Sequence, residues 1–230
     1  MSASPLSQEV FDFLTDLTAN NEREWFSTHK DRYLKNHAIL IDFAEKLLTE
    51  MGKHDHIETP GGKKSLYRIY RDTRFSKDKT PYKNHWSGGF RRATAQLRGG
   101  YYFHLQPGGK SHAAGGFWAP NKDDLFRIRQ EIATDAQEMR DIIAEPHFVA
   151  TFGELQGSQL KTAPKGFDRE HPAIDLLRYK QYVIVRNFSD AEVLSEGFVN
   201  QVDSTFQAMR PFFDYMSEIL TTDANGVSLV

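Results

Sequence analysis

The chain has 230 residues, of which 39% are hydrophobic and 26% are charged, as is ordinary for a globular protein. It contains no cysteine, which excludes disulfide bonds, thiol nucleophiles, iron–sulfur clusters and cysteine-ligated zinc. No apolar run approaches the roughly 20 residues that span a bilayer, and the first eight residues do not resemble a signal peptide. We therefore expect a soluble, cytoplasmic protein without a membrane partner.

The N-terminal third is predicted to be helical. Ser7 can cap a helix whose apolar residues recur at helical spacing, namely Val10, Phe11, Phe13, Leu14 and Leu17. Asn20 or Asn21 can cap a second helix, which places four aromatic residues on one side, namely Trp25, Phe26, His29 and Tyr33. The apolar pattern continues from Leu34 and ends at Gly52.

The middle of the chain is predicted to contain a loop, strands and turns. The polar segment from His54 to Lys64 includes Pro60-Gly61-Gly62 and is expected to be a loop. Leu66–Arg71 alternates bulky apolar residues with arginine, as a strand would. Tyr101–Gln106 and Ser111–Trp118 flank Pro-Gly-Gly-Lys and predict an antiparallel hairpin.

The C-terminal half returns to helical patterns. Asn121 is expected to cap a long helix with an apolar stripe formed by Leu125, Ile128, Ile132, Met139 and Ile142. A helix at Pro172–Lys180, a strand at Tyr182–Val185 and a final helix from Ser195 to Leu220, kinked at Pro211, complete the prediction.

This order predicts an α+β fold, with helical N- and C-terminal segments packed on a central, largely antiparallel sheet. We see no linker, so residues 1–230 are predicted to form a single domain, with 222–230 as a flexible tail.

A basic motif stands out at residues 68–83, which read R-I-Y-R-D-T-R-F-S-K-D-K-T-P-Y-K. The surrounding segment from Gly61 to Arg98 carries a net charge of +9, whereas the rest of the chain carries −11. Like charges at this density repel one another unless an anion, a carboxylate or solvent offsets them. The motif therefore predicts a site, although it does not name a reaction.

Our preferred interpretation is a pocket for a small anionic ligand, for which a phosphorylated compound is one candidate. Arginines at the end of a strand can bind such an anion in a forked geometry, and lysines add charge. We expect Asp72 to orient the arginines rather than act as a base, because neighbouring arginines lower the pKa of a carboxyl group. Tyr82 would donate a hydrogen bond, and the 161–180 segment could contribute Lys165 and a helix N-terminus. The predicted ligand-binding residues are Arg68, Arg71, Asp72, Arg74, Lys79, Tyr82, Lys83, His104 and Lys165.

Two alternatives remain open. Aromatic residues interleaved with the cations could stack nucleic-acid bases, although the chain is slightly acidic overall and contains no recognisable nucleic-acid module. The arginines could also form internal ion pairs in a structural or partner-binding domain. Common nucleotide-binding and hydrolase motifs are absent, and the histidine-bearing segments lack a third ligand at suitable spacing. We therefore predict no metal and no cofactor, and the sequence does not fix the oligomeric state.

The basic motif at residues 68–83 resembles the signature of a widespread bacterial family of unknown function. The family pattern R-x-x-R-D-x-R-F-x-x-x-[D/N]-K-x-x-Y is matched at its first five fixed positions, from Arg68 to Phe75, and its last three residue types follow one position early, as Asp78, Lys79 and Tyr82. The similarity extends to N-N-E-R-E-W-F, to the glycine-rich hairpin and to P-K-G-F-D-R-E-H-P with L-L-R-Y-K. The resemblance implies one full-length domain and no particular activity, cofactor or substrate.

Overall fold

The computed structural model describes residues 6–223 and 225–230. Its helices are α1 (Gln8–Ala19), α2 (Arg23–Thr28), α3 (Lys30–Met51), α4 (Gly62–Ser65), α5 (Lys122–Thr134), α6 (Gln137–Ala144), α7 (Pro146–Phe152), α8 (Ile174–Leu177), α9 (Asp190–Val193), α10 (Phe198–Ala208) and α11 (Arg210–Thr221). Its strands are β1 (Trp86–Arg91), β2 (Gly100–Leu105), β3 (Ser111–Phe117) and β4 (Tyr182–Phe188). The strands form an antiparallel sheet in the order β1-β2-β3-β4, which confirms the predicted α+β class.

The chain divides into two compact units. The first contains the described chain through Phe90, then Tyr102–Ala113 and Asn187–Ser204. The second contains Arg91–Tyr101, Ala114–Arg186 and the described residues from Thr205. The single domain over 1–230 and the flexible tail at 222–230 stay predictions. None of the helices in the described ranges is both long and apolar enough to cross a membrane.

Helices α1 and α3 provide much of the core of the first unit. Helix α1 follows Ser7, as predicted, and buries all five residues of its apolar stripe. The second predicted helix is instead two helices, because α2 begins after Glu22 and α3 begins at Lys30. Helix α3 ends at Gly52, as predicted. Its Phe43 ring lies 5.4 Å from Phe103 and 5.6 Å from Phe198, measured between ring centroids.

The predicted loop at His54–Lys64 is wrong at its end, where α4 begins at Gly62. This helix lies directly against α3, since a Cβ atom on residue 62 would come within 2.5 Å of the Glu45 nitrogen. Pro60-Gly61-Gly62 resembles a turn in sequence, but here the missing side chain of Gly62 permits close helix packing.

The hairpin of β2 and β3 is confirmed, whereas β1 was not predicted. Residues alternate between buried and half-buried along β2 and β3, as expected for strands with one covered face. Strand β1 reads W-S-G-G-F-R and lacks that alternation in its sequence. The predicted strand at Leu66–Arg71 is reduced to isolated bridges at Leu66 and Tyr70.

Helix α5 begins as predicted, because the Asn121 side chain accepts hydrogen bonds from the Asp123 and Asp124 nitrogens. The helix does not continue to Ile142. It ends before Asp135, whose backbone is extended and whose carboxylate accepts a hydrogen bond from the Gln137 nitrogen, 2.8 Å away, at the start of α6. Helix α7 was not predicted.

The remaining elements of the second half differ mainly in their ends. Helix α8 is shorter than the predicted helix at Pro172–Lys180, and β4 continues to Phe188. The predicted final helix is divided between α10 and α11 at Met209, with Pro211 in the first turn of α11. In the second unit, Phe206 and Phe213 pack against Tyr101 at centroid distances of 4.8 and 5.0 Å.

Candidate functional site

The start of the basic motif pairs with the chain that leads into β1. The Tyr67 nitrogen donates to the Ser87 oxygen at 2.9 Å, and the Lys83 nitrogen donates to the Ile69 oxygen at 2.8 Å. Leu66 and Gly88, and likewise Tyr70 and Tyr82, form antiparallel bridges. The first part of the motif therefore lies beside the edge of the sheet.

The register of this pairing changes at Arg68. Between the Tyr67–Ser87 and Ile69–Lys83 hydrogen bonds, the single residue Arg68 stands opposite the three residues 84–86. The additional residues form a bulge, which interrupts the ladder and redirects side chains. His85 lies at the centre of this bulge.

The loop after the first arginines is held by its own carboxylates. Asp78 accepts hydrogen bonds from the Thr80 nitrogen at 2.9 Å, from the Thr80 hydroxyl at 2.8 Å and from the Arg71 guanidinium. The Thr80 backbone bond, followed by the Arg71 bond, lowers the pKa of Asp78 to about 2. Arg71 therefore has a carboxylate partner within the motif.

A second ion pair lies nearby on the surface. Asp72 binds the Arg74 guanidinium through both carboxylate oxygens, at 3.0 and 2.7 Å. The Arg74 side chain lowers the pKa of Asp72. In the same loop, the Lys79 ammonium donates to the Thr73 carbonyl at 2.8 Å.

Arg68 and Lys83 have no such partner. Within the described residues, neither side chain forms a hydrogen bond or an ion pair, whereas the Lys83 ammonium lies 5.7 Å from the centre of the Tyr67 ring. Burial, and then the charge of Arg68, lower the pKa of Lys83. These two cations are thus close enough to repel one another and are not neutralised by a contacting carboxylate.

Tyr82 lies in a different environment. Its side chain is only 5% exposed, and its ring stacks on Phe26 at a centroid distance of 4.1 Å. Asn21 bonds both the nitrogen and the carbonyl oxygen of Tyr82, each at 3.1 Å. The segment before α2 therefore anchors the end of the motif.

A row of histidines occupies the half-buried face of the hairpin beside the motif. His104 on β2 stacks against His85 at 4.1 Å and against His112 on β3 at 4.6 Å, measured between ring centroids. Burial is the main cause of a lowered pKa in all three imidazoles. The charge of His104 and then that of Lys83 lower the pKa of His85 further, to about 3. These rings are therefore neutral near pH 7.

The histidine row is not arranged as a metal centre. In the part of the chain that the structure describes, no group of three or more histidine, aspartate or glutamate side chains is placed to hold a metal ion. The rings of His85, His104 and His112 stack face to face, whereas nitrogen ligands must direct their in-plane lone pairs towards one point.

The predicted Lys165 belongs to the second unit, on an exposed turn before α8. The polar groups around this turn bond within the unit. Asp168 accepts from the Glu170 nitrogen at 3.0 Å, and the His171 Nδ1 atom accepts from the Ala173 nitrogen at 3.1 Å. A role for Lys165 in ligand binding stays a prediction.

Sequence reasoning missed His85 and His112. The alternation along the hairpin could have placed His112 on the same face as His104, because both are half-buried positions of paired strands. No comparable signal exists for His85, since its position depends on the bulge opposite Arg68.

These observations define an α+β protein with a partly unneutralised basic motif next to a row of neutral histidines. The chain belongs to the family described as "Conserved hypothetical protein (DUF2461)", whose model matches residues 9–215. Searches of the curated proteins and of the solved structures each found no match. The family assignment agrees with the resemblance to a family of unknown function.

Proposed function

We propose that this protein binds a small anionic ligand through Arg68 and Lys83. The observation that carries the proposal is that these two neighbouring cations lack a carboxylate partner, while Arg71 and Arg74 are paired with Asp78 and Asp72. Lys83 is partly buried and Arg68 is exposed, and an anion placed between the two like charges would be attracted to both.

The two cations have complementary roles in this proposal. The Arg68 guanidinium is exposed and offers a planar fork that suits phosphate, sulfate or carboxylate oxygens. The Lys83 ammonium adds a point charge from a more buried position. The bonds of Arg71, Lys79 and the two aspartates hold the intervening loop, so those residues support the site rather than contact the ligand.

Isothermal titration calorimetry with phosphate, pyrophosphate, glucose 6-phosphate and AMP tests the proposal. We expect the wild type to bind at least one of these compounds, and Arg68→Ala or Lys83→Ala to weaken that binding at least tenfold. Lys77→Ala is the matched control, because it also removes one positive charge from the motif, at an exposed side chain. The absence of binding by the wild type, or equal loss in all three variants, would contradict the proposal.

One observation favours nucleic acid as a second candidate ligand. Phe75 is 96% exposed, and the Arg74 guanidinium lies 5.9 Å from its ring centre, so both groups could stack on bases. Fluorescence anisotropy with a single-stranded oligonucleotide would show weaker binding for Phe75→Ala than for the wild type. Unchanged affinity in this variant would exclude Phe75 as a stacking platform.

A further inference from the structure

The hydrogen bonds of the three stacked histidines differ in a way that bears on the ligand. Both nitrogens of His104 are occupied. The Tyr102 hydroxyl lies 3.2 Å from Nδ1, and the Gln106 amide oxygen lies 2.9 Å from Nε2. Because an amide oxygen accepts, Nε2 carries the proton and Nδ1 accepts from Tyr102. His104 is thus satisfied within the protein.

The flanking histidines each retain a bare nitrogen. The His112 Nδ1 atom lies 3.3 Å from the Lys110 carbonyl, which can only accept, so Nδ1 carries the proton and Nε2 does not. The Asn84 amide oxygen, 3.4 Å from the His85 Nδ1 atom, favours the same tautomer.

Neither bare nitrogen is fully buried. Among the described residues, neither Nε2 atom has a hydrogen-bond partner. Neither Nε2 atom belongs to the fully buried polar atoms without a hydrogen-bond partner. They are therefore incompletely buried acceptor atoms, on rings that lie on either side of His104.

The surroundings keep these imidazoles in the neutral, accepting form. Burial is the largest cause of the lowered pKa of His85, and the neighbouring groups that add to it are cationic or neutral, namely His104, Lys83, His112 and Arg71. Burial likewise lowers the pKa of His112. A neutral imidazole with a protonated Nδ1 atom offers a lone pair at Nε2, and the matching group on a ligand is a hydroxyl or another hydrogen-bond donor.

We infer that the ligand is a phosphorylated polyol, whose anionic group binds Arg68 and Lys83 and whose hydroxyls donate to the Nε2 atoms of His85 and His112. The inference rests on the proposed anion site and specifies its ligand class. The Tyr67 ring, 53% exposed beneath the Lys83 ammonium, offers an apolar surface for the carbon skeleton. Sugar phosphates and ribonucleotides share this chemistry.

Two matched pairs of compounds test the inference by calorimetry on the full chain at pH 7.5. Glucose 6-phosphate is compared with cyclohexylmethyl phosphate, and AMP with 2′,3′-dideoxyadenosine monophosphate. In at least one pair we expect the hydroxyl-bearing member to bind about tenfold more tightly, the effect of one or two neutral hydrogen bonds. The pair that shows the difference distinguishes a sugar phosphate from a ribonucleotide.

Histidine variants locate the effect. His85→Phe and His112→Phe keep a stacking ring but remove the hydrogen-bond acceptor. Each variant is expected to reduce the preference for the hydroxyl-bearing compound of a pair. The affinity for the hydroxyl-poor compound is expected to stay unchanged. Equal affinities within both wild-type pairs, or an unchanged preference in both variants, would overturn the inference and leave the anion site standing. No binding of any phosphate compound would overturn both. If a variant fails to fold, the wild-type pairs alone decide.

Discussion

At the scale of single residues, Asp78 shows how the motif balances part of its own positive charge. Its carboxylate is bound by the Thr80 backbone and hydroxyl and by Arg71, although the group lies at the surface. Hydrogen bonds to the ionised form lower the pKa of a carboxyl group. This contribution to stability is complete above the ordinary pKa near 3.8 and is lost as pH falls through about 2.

Carbon-13 NMR of the side-chain carboxyls can follow this group directly. We expect Asp78 to titrate with a midpoint near pH 2 and the Thr80 amide signal to shift over the same range. Arg71→Gln removes the charged donor and is expected to raise the midpoint. A wild-type midpoint near 3.8 would show that the Asp78 contacts do not persist in solution.

Residue types along the motif predict where cations gather better than they predict which cations are paired. The charge density of residues 68–83 indicated where cations gather, but not that Arg71 and Arg74 would be paired while Arg68 would not. That distinction depends on the conformation of the loop, in which Asp78 reaches back by seven residues to Arg71. Spacing along the chain does not determine such contacts.

At the scale of elements, two helix N-termini that look alike in sequence differ in their capping. The Asn121 side chain accepts bonds from two backbone nitrogens of α5, at 3.0 and 2.8 Å, whereas the Ser7 side chain makes no capping bond to α1. We expect Asn121→Ala to lower the free energy of unfolding by about 1 kcal/mol, and Ser7→Ala to have a much smaller effect. Urea denaturation measures both changes, and equal effects would contradict the assigned caps.

Close packing of α4 on α3 gives a second element-scale prediction. Gly62→Ala would place a Cβ atom 2.5 Å from the Glu45 nitrogen and 2.7 Å from the Ile41 oxygen. Because both atoms belong to the backbone, we expect a loss of about 1–3 kcal/mol in the free energy of unfolding. Gly197→Ala is the matched control, since no atom beyond its immediate chain neighbours lies within 4 Å of the added carbon. Equal stability of the two variants would exclude the contact.

The sequence predicts helices and strands well where apolar residues recur over several turns. It fails where tertiary contacts determine the local structure. The stripes of α1 and α5 are clear because apolar residues recur at helical spacing over several turns. Strand β1 contains Gly88 and Gly89 and was missed, because its place in the sheet comes from close packing, with Gly88 against Phe103. The end of α5 at Asp135 was missed because an isolated aspartate does not by itself end a helix.

At the scale of the whole molecule, its half-buried histidines make stability depend on pH. Burial is the largest cause of a lowered pKa for four of them, namely His37, His85, His104 and His112. The unfolded chain therefore binds more protons than the folded chain once pH falls below the ordinary value of 6.5. Stability that is complete above pH 6.5 is lost as pH falls, and the effect of His85 continues to about pH 3.

Chemical denaturation between pH 7 and pH 5 tests this dependence, in a window where most carboxylates remain ionised. We expect the free energy of unfolding to decrease as pH falls. His85→Phe should reduce the slope by at most the contribution of one proton, because it removes one group that titrates only in the unfolded chain. A stability that is constant or increases towards pH 5 would show that the histidines are solvated.

The central claim for the molecule is that Arg68 and Lys83, the two motif cations argued above to have no ion-pair partner, bind an anion. The most direct measurement is a crystal structure of the full chain with the tightest-binding phosphate compound from the calorimetry. We predict phosphate oxygens within hydrogen-bond distance of the Arg68 guanidinium and the Lys83 ammonium. A phosphate group bound elsewhere, with these two side chains unoccupied, would contradict the account.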